Sequence, residues 1–172
     1  MVPPTVNYRK AFYYNFVPSK VEDEAAKSNN TRFGVTRNLV EFREFHPASV
    51  FHPAFPWQIR KILVLSEVYT GKFNLSFNDT FEYIFRHWEF DMANHVASGK
   101  KLFVMICDVT DEKRPISHIN MYFEQAPDDS YLLESSGLVR EHRLKEKDEI
   151  GLFWDTRFRA FHFKLLHRGP FN

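Results

Sequence analysis

The histidines and carboxylates of this chain are the residues whose types could support catalysis or metal binding. None of the eight histidines lies four residues from another, the spacing that places two imidazoles on one helical face for zinc. The single cysteine, Cys107, excludes a cysteine-rich zinc site. Asp108, Asp111 and Glu112 could ligate a cation, but a charged turn between strands explains them more simply. With neither a glycine-rich phosphate loop nor a nucleophile elbow, we expect no enzyme, no metal and no cofactor.

Two strands near the carboxyl end are the clearest elements in the sequence. Apolar side chains recur at every second position in residues 150–154 and again in 161–165. This period is typical of strands with one buried face. Residues 155–158 lie between the two runs and supply the turn. The pattern predicts an antiparallel hairpin.

The region before this hairpin reads as short strands interrupted by two helices. A helix is predicted where Phe81, Ile84, Phe85 and Trp88 recur at three- and four-residue spacing, with Asn78 or Asp79 as its cap. A second short helix is predicted at 136–143, capped by Ser135 or Ser136. Strands are predicted at 58–65, 73–77, 101–107, 116–123 and 131–133. This order suits a small open barrel with a helix at each end.

Several of these strands resemble, in their particular residues, the B3 DNA-binding domains of plants. Residues 144–155, Leu-Lys-Glu-Lys-Asp-Glu-Ile-Gly-Leu-Phe-Trp-Asp, resemble the penultimate strand of that family. Residues 57–68 resemble its first strand with a serine–acidic–valine exit, and 103–110 and 130–133 resemble middle strands. The resemblance implies a mainly β, seven-stranded B3 pseudobarrel with two short helices in residues 57–172.

The resemblance also implies a function: sequence-specific binding of double-stranded DNA through the major groove by a nuclear transcriptional regulator. B3 domains resemble a two-pronged grip. Carried over by position, the first prong is residues 66–74 and the second prong is residues 123–130. Lysines would contact phosphates, and amides and hydroxyls would contact bases. The predicted DNA-binding residues are Lys61, Ser66, Tyr69, Thr70, Lys72, Asn74, Gln125 and Ser130.

Charge leaves a second function open. The formal net charge is only +1, whereas phosphate binding usually leaves a visible basic surplus. Glu124, Asp128 and Asp129 place three carboxylates in or beside the second prong. The alternative is therefore a B3-derived protein–protein interaction module whose acidic 124–129 loop has removed its affinity for DNA.

Residues 1–56 are predicted to be a partly ordered extension before the barrel. They alternate between aromatic clusters, such as 12–16, and polar stretches, and three prolines between 47 and 56 indicate a linker or strap. Exposed aromatic residues there would offer a surface for a protein partner or for self-association. No apolar run approaches a membrane span, and the amino terminus lacks the pattern of a secretion signal. We expect no membrane association and a nuclear location.

Overall fold

The computed structural model describes residues 7–16, 18–31, 34, 36–44 and 56–170. Nearly all of the predicted proline-rich linker and residues 1–6 lie outside these ranges. The chain divides into two compact units, Met1–Ala48 and Ser49–Asn172. The division at 56/57 stays a prediction. No helix within the described ranges is long and apolar enough to cross a membrane.

The first unit contains a two-stranded antiparallel sheet and one helix. Strand β1 (Asn7–Asn15) pairs along its whole length with β2 (Thr36–Glu44), and helix α1 (Lys20–Ser28) lies between them in the chain. Ser19 begins α1, because its hydroxyl accepts the Glu22 N–H while the Glu22 carboxylate accepts the Ser19 N–H. The sequence showed no clean period here, so this sheet was not predicted.

The second unit is a curled, mixed sheet of seven strands that forms a half-barrel. Its order is β3-β8-β9-β5-β6-β7-β4, and every neighbouring pair is antiparallel except β5–β9. The predicted mainly β fold class with seven strands is confirmed. The strands are β3 (Ile59–Ile62), β4 (Lys72–Leu75), β5 (Leu102–Asp108), β6 (Ile116–Gln125), β7 (Tyr131–Glu134), β8 (Glu149–Asp155) and β9 (Ala160–His167).

Aromatic side chains fill the inside of the half-barrel. The Trp88 ring lies 5.2 Å from Trp154 and 5.6 Å from Phe123, both in edge-to-face geometry. Such pairs add to the stabilisation from burying large apolar areas. The apolar residues whose alternation predicted the hairpin form one wall of this core. Among them, Phe161 and Phe163 are fully buried.

More helices are present than the two that the sequence predicted. The described part of the second unit contains α2 (Leu65–Thr70), α3 (Phe77–Tyr83), a 3₁₀ turn (Phe85–His87), α4 (Phe90–Ala97) and α5 (Ser136–His142). The predicted strand 58–65 ends at Ile62, and Leu65 already begins α2. The predicted cap of α3 was wrong: the Ser76 hydroxyl accepts the Asp79 N–H at 3.0 Å. Ile84, Phe85 and Trp88 form the expected buried face, but they follow α3 instead of continuing it.

A buried carboxylate fixes the turn before β8. Asp148 is 2% exposed and accepts the N–H groups of Lys145 at 2.9 Å and Gly169 at 2.8 Å. The Arg168 guanidinium donates to the same carboxylate at 2.9 Å. Burial alone would raise the pKa of Asp148, but these hydrogen bonds outweigh burial and hold the pKa below its usual range. The segment after β9 is thereby tied to the turn that leads into β8.

Candidate nucleic-acid interface

The half-barrel is open where its two end strands, β3 and β4, face each other; we call this opening the seam. A cleft of about 510 Å³ lies at the seam, within the size range of ligand sites in proteins. Its polar lining includes Arg60 and Lys61 from β3, Asn74 from β4 and Ser130 from the second prong. The structure therefore brings three predicted DNA-binding residues, Lys61, Asn74 and Ser130, to one cleft.

Helix α2 and the 126–130 loop of the second prong lie at opposite ends of β4, and the first prong continues from α2 into β4 as far as Asn74. Lys72 pairs with Glu134 at the end that follows α2, and Leu75 pairs with Tyr131 at the end beside the second prong. Four residues of strand separate these ends by about 10 Å.

The first prong is a short helix and a tight turn instead of the predicted loop. Tyr69 on α2 is 90% exposed, and Ser66 and Thr70 are also exposed. The Thr70 hydroxyl donates to the Ser66 carbonyl at 2.7 Å, so its donor is used inside the helix. Tyr69 and Ser66 retain accessible hydroxyls at the surface of the prong.

Glu67 holds the first prong in place. Its side chain is buried, with 4% exposed, and its carboxylate accepts the Val64 N–H at 3.1 Å and the Asn74 N–H at 2.7 Å. The Lys61 ammonium lies 3.0 Å from the same carboxylate. One side chain thus caps the start of α2, fixes the edge of β4 and orients a cation at the cleft.

Gly71 joins α2 to β4 in a conformation that suits glycine. Its φ is +67°, and a Cβ there would come within 2.7 Å of the Ser136 Cβ. The Gly71 carbonyl accepts the Ser135 N–H at 2.7 Å. The first prong is therefore packed against the start of α5, which fixes its direction.

Two lysines and one carboxylate meet beside the prongs. Glu124 accepts from Lys72 at 3.0 Å and lies 3.3 Å from Lys101, and both ammonium groups approach the Tyr122 ring, at 5.4 and 4.3 Å. The bond to Glu124 is the main cause that raises the pKa of Lys72. Burial would raise the pKa of Glu124, but the two lysines outweigh it and lower that pKa. Two ammonium groups and one carboxylate give this cluster a formal net charge of one positive unit.

The two residues of the second prong that were predicted to contact DNA, Gln125 and Ser130, donate hydrogen bonds to carboxylates of their own loop. The Gln125 amide donates to Asp129 at 3.0 Å, and the Ser130 hydroxyl and N–H donate to Asp128 at 2.6 and 3.2 Å. The Ser130 hydroxyl is the main cause that lowers the pKa of Asp128. Asp128 therefore remains negatively charged at neutral pH.

Two residues that shape the interface were missed in the sequence. Arg60 lines the cleft and pairs with Glu149 at 2.8 Å, and Glu67 positions Lys61 and Asn74. The acidic residue three positions after Val64 was a usable signal, because a carboxylate there can cap a helix. Among the described residues, no group of three histidine, cysteine, aspartate or glutamate side chains is placed to hold a metal ion.

Comparison with known families agrees with this architecture. A family model described as the C-terminal domain of the B3 domain-containing protein At5g26805 matches residues 57–166. The chain belongs to this B3-related family. The match runs from just before β3 into β9, so the B3-related region contains the seam and both prongs. No curated protein matches the chain.

Proposed function

We propose that the B3-related unit binds double-stranded DNA through the major groove and acts as a nuclear transcriptional regulator. The observation that carries the proposal is the seam: two cations of β3 and the amide of Asn74 on β4 share one open cleft with Ser130 of the second prong. Membership of the B3-related family supports the same function.

The ion pairs at the seam permit phosphate binding. Arg60, Lys61 and Lys72 each pair with a carboxylate, and their side chains are 56%, 22% and 32% exposed. Pairs open to solvent contribute about 0.2–1 kcal/mol each. Release of counterions from DNA stabilises each phosphate contact. A phosphate can therefore replace Glu149 or Glu124 as a partner at little cost, whereas the pair of Lys61 with buried Glu67 is harder to separate.

The second prong limits affinity. Asp128 and Asp129 are exposed carboxylates at its tip, and each would repel a phosphate at contact distance by about 1 kcal/mol in water. We propose that β3 and the first prong supply most of the affinity.

A protein–protein interaction module remains the second candidate. The observation that favours it is that Gln125 and Ser130 each already donate to a carboxylate of their own loop, Asp129 and Asp128, so one donor of each side chain would have to change partner to contact a base. Under this alternative the full chain would not bind duplex DNA at any salt concentration.

Binding to a fluorescently labelled random duplex tests the first candidate. The full chain should bind with a Kd near the micromolar range at low salt and lose affinity steeply as salt rises, because phosphate contacts release counterions. Lys72→Ala should weaken binding to all sequences and reduce the slope of log K against log salt by about 1. Lys164→Ala is the matched control, because Lys164 also forms a surface pair, with Glu112 at 2.6 Å. Equal effects of the two substitutions would contradict a role for the first prong.

Neutralising the acidic loop should increase affinity. The variant Glu124→Gln, Asp128→Asn, Asp129→Asn removes three negative charges and leaves Lys72 and Lys101 without Glu124 as an anionic partner. We expect affinity for the same duplex to rise roughly tenfold, measured by anisotropy at fixed salt. The control neutralises Glu22, Asp23 and Glu24 on α1, which gives the same change in net charge. An unchanged affinity would show that the second prong does not approach phosphate.

A further inference from the structure

Asn74 presents a side-chain amide at the seam. It lies on β4 between Phe73 and Leu75, which are both buried, so its own side chain points out of the sheet and is exposed. Asn74 also lines the cleft. Among the residues that the structure describes, none forms a hydrogen bond with its amide. The donor and the acceptor of this amide are therefore available to a ligand.

The other polar side chains predicted to contact bases are less suited to distinguish one base from another. Gln125, Ser130 and Thr70 each donate a hydrogen bond within their own segment of the chain. Ser66 and Tyr69 each carry a hydroxyl, which can either donate or accept and therefore suits many base edges. An amide holds a donor and an acceptor side by side in one plane, so it fits fewer partners.

The backbone at Asn74 is held on both sides. Its N–H donates to the buried Glu67 carboxylate at 2.7 Å, and across the strand pair it lies opposite Leu132 of β7. A side chain on a strand that is fixed in this way is placed more precisely than one on a loop. Glu67 is thus a positioning residue for the amide.

The chemistry of an amide matches one base in the major groove. Adenine presents the N7 acceptor beside the N6 amino donor, which an amide can bind with two hydrogen bonds at once. Guanine presents two acceptors there, cytosine a donor, and thymine an acceptor. An amide can make only one good hydrogen bond with each of these three bases.

We propose that Asn74 is the base-reading residue of the first prong and that it selects adenine through hydrogen bonds to N7 and N6. This inference rests on the proposed function, because the seam must face the major groove. It deepens that function by assigning the choice of one base to one side chain. The competing role for Asn74 is a contact to a phosphate oxygen, which would give no preference for any base.

Selection from a library of random duplexes tests the inference with the full chain. The bound duplexes should share one position at which adenine is enriched about tenfold over the other bases. Asn74→Ala should lose this enrichment at that position alone. Asn74→Arg should change the preferred base there to guanine, because a guanidinium can donate to both of its acceptors. Asn94→Ala and Asn94→Arg are the matched controls, because Asn94 is an exposed asparagine on α4 and should leave the preference unchanged.

A modified base tests the same contact from the DNA side. The analogue 7-deazaadenine lacks the N7 acceptor but still pairs with thymine. Placed at the enriched position, it should weaken binding of the full chain about fivefold, measured by fluorescence anisotropy at fixed salt. It should not change binding of the Asn74→Ala variant, which has no amide to lose a partner.

Failure of this inference can be distinguished from failure of the proposed function. If Asn74→Ala selects the same sequences as the unaltered chain, the inference is wrong and DNA binding still stands. If that variant loses every base preference while its denaturant midpoint is unchanged, the amide orients the prong instead of reading one base, and the inference is also wrong. If the full chain binds no duplex of the library at low salt, both claims are wrong.

Discussion

Replacing Asp148 with asparagine should lower the free energy of unfolding of the full chain by about 3 kcal/mol. The carboxylate accepts two backbone N–H groups and the Arg168 guanidinium. Asparagine keeps the volume but offers one oxygen, and its NH₂ group would face a donor. One buried N–H loses its partner, and Arg168 loses its counter-charge. Denaturant titration should show a lower midpoint with an unchanged slope, and the thermal midpoint should fall by roughly 10 °C.

Two comparisons make this result specific to Asp148. Asp128→Asn is the same chemical change at an exposed site and should alter stability by less than about 0.5 kcal/mol. The folded-state pKa of Asp148 lies below its unfolded value, so its contribution is complete above the unfolded pKa and is lost as pH falls through the folded one. The difference in the free energy of unfolding between the unaltered chain and the Asp148→Asn variant should therefore become smaller below about pH 4. A difference that stays constant down to pH 2 would show that the negative charge of Asp148 does not stabilise the fold.

The fold was predictable where one rule dominated the sequence. In β8 and β9, alternating apolar residues and a short turn decided the structure, and both strands lie where the pattern predicted. Helix α4 was missed because its buried face consists only of Ala93 and Val96, too small a set to give a periodic signal. The β1–β2 sheet was missed because the segment between its strands contains a whole helix, so no turn signal joined them.

Helix α2 escaped prediction for a different reason. It exposes Leu65 and Tyr69 and buries Glu67, the reverse of an ordinary amphipathic helix. Period-based reasoning assigns Leu65 to the preceding strand because it assumes that apolar residues point inward. The inversion arises from the carboxylate, which binds backbone N–H groups of both α2 and β4. Disagreement between pattern and structure of this kind is expected at functional sites.

The pairing of charges at the candidate interface could be learned only from the structure. The sequence shows the lysines and the carboxylates but not their pairing, since Lys72 and Glu124 are 52 residues apart and meet only through the register of β4, β7 and β6. The charge of Glu124 is balanced by two lysines, whereas Asp128 and Asp129 accept from Ser130 and Gln125 of their own loop. The repulsion expected from three carboxylates therefore reduces to two.

Replacing Glu67 with glutamine should destabilise the chain and impair the first prong together. The amide oxygen can accept only one of the two N–H groups that the carboxylate now binds, and its NH₂ group would meet the other donor or the Lys61 ammonium. We expect a loss of about 3 kcal/mol in the free energy of unfolding, measured by denaturant titration. Adding Lys61→Met should recover part of that loss, because it removes the unpaired ammonium.

DNA affinity of the Glu67→Gln variant separates two possible roles of the carboxylate. The substitution frees Lys61 for phosphate, which alone would strengthen binding, but it also loosens α2 and the edge of β4. If α2 must be rigid to enter the groove, the second effect dominates, and affinity for a duplex should fall several-fold at a temperature where the variant is fully folded. Glu82→Gln is the control, because Glu82 pairs with Arg86 on the surface of α3. An affinity above that of the unaltered chain would mean that Lys61 acts as a simple phosphate contact and that α2 lies outside the DNA interface.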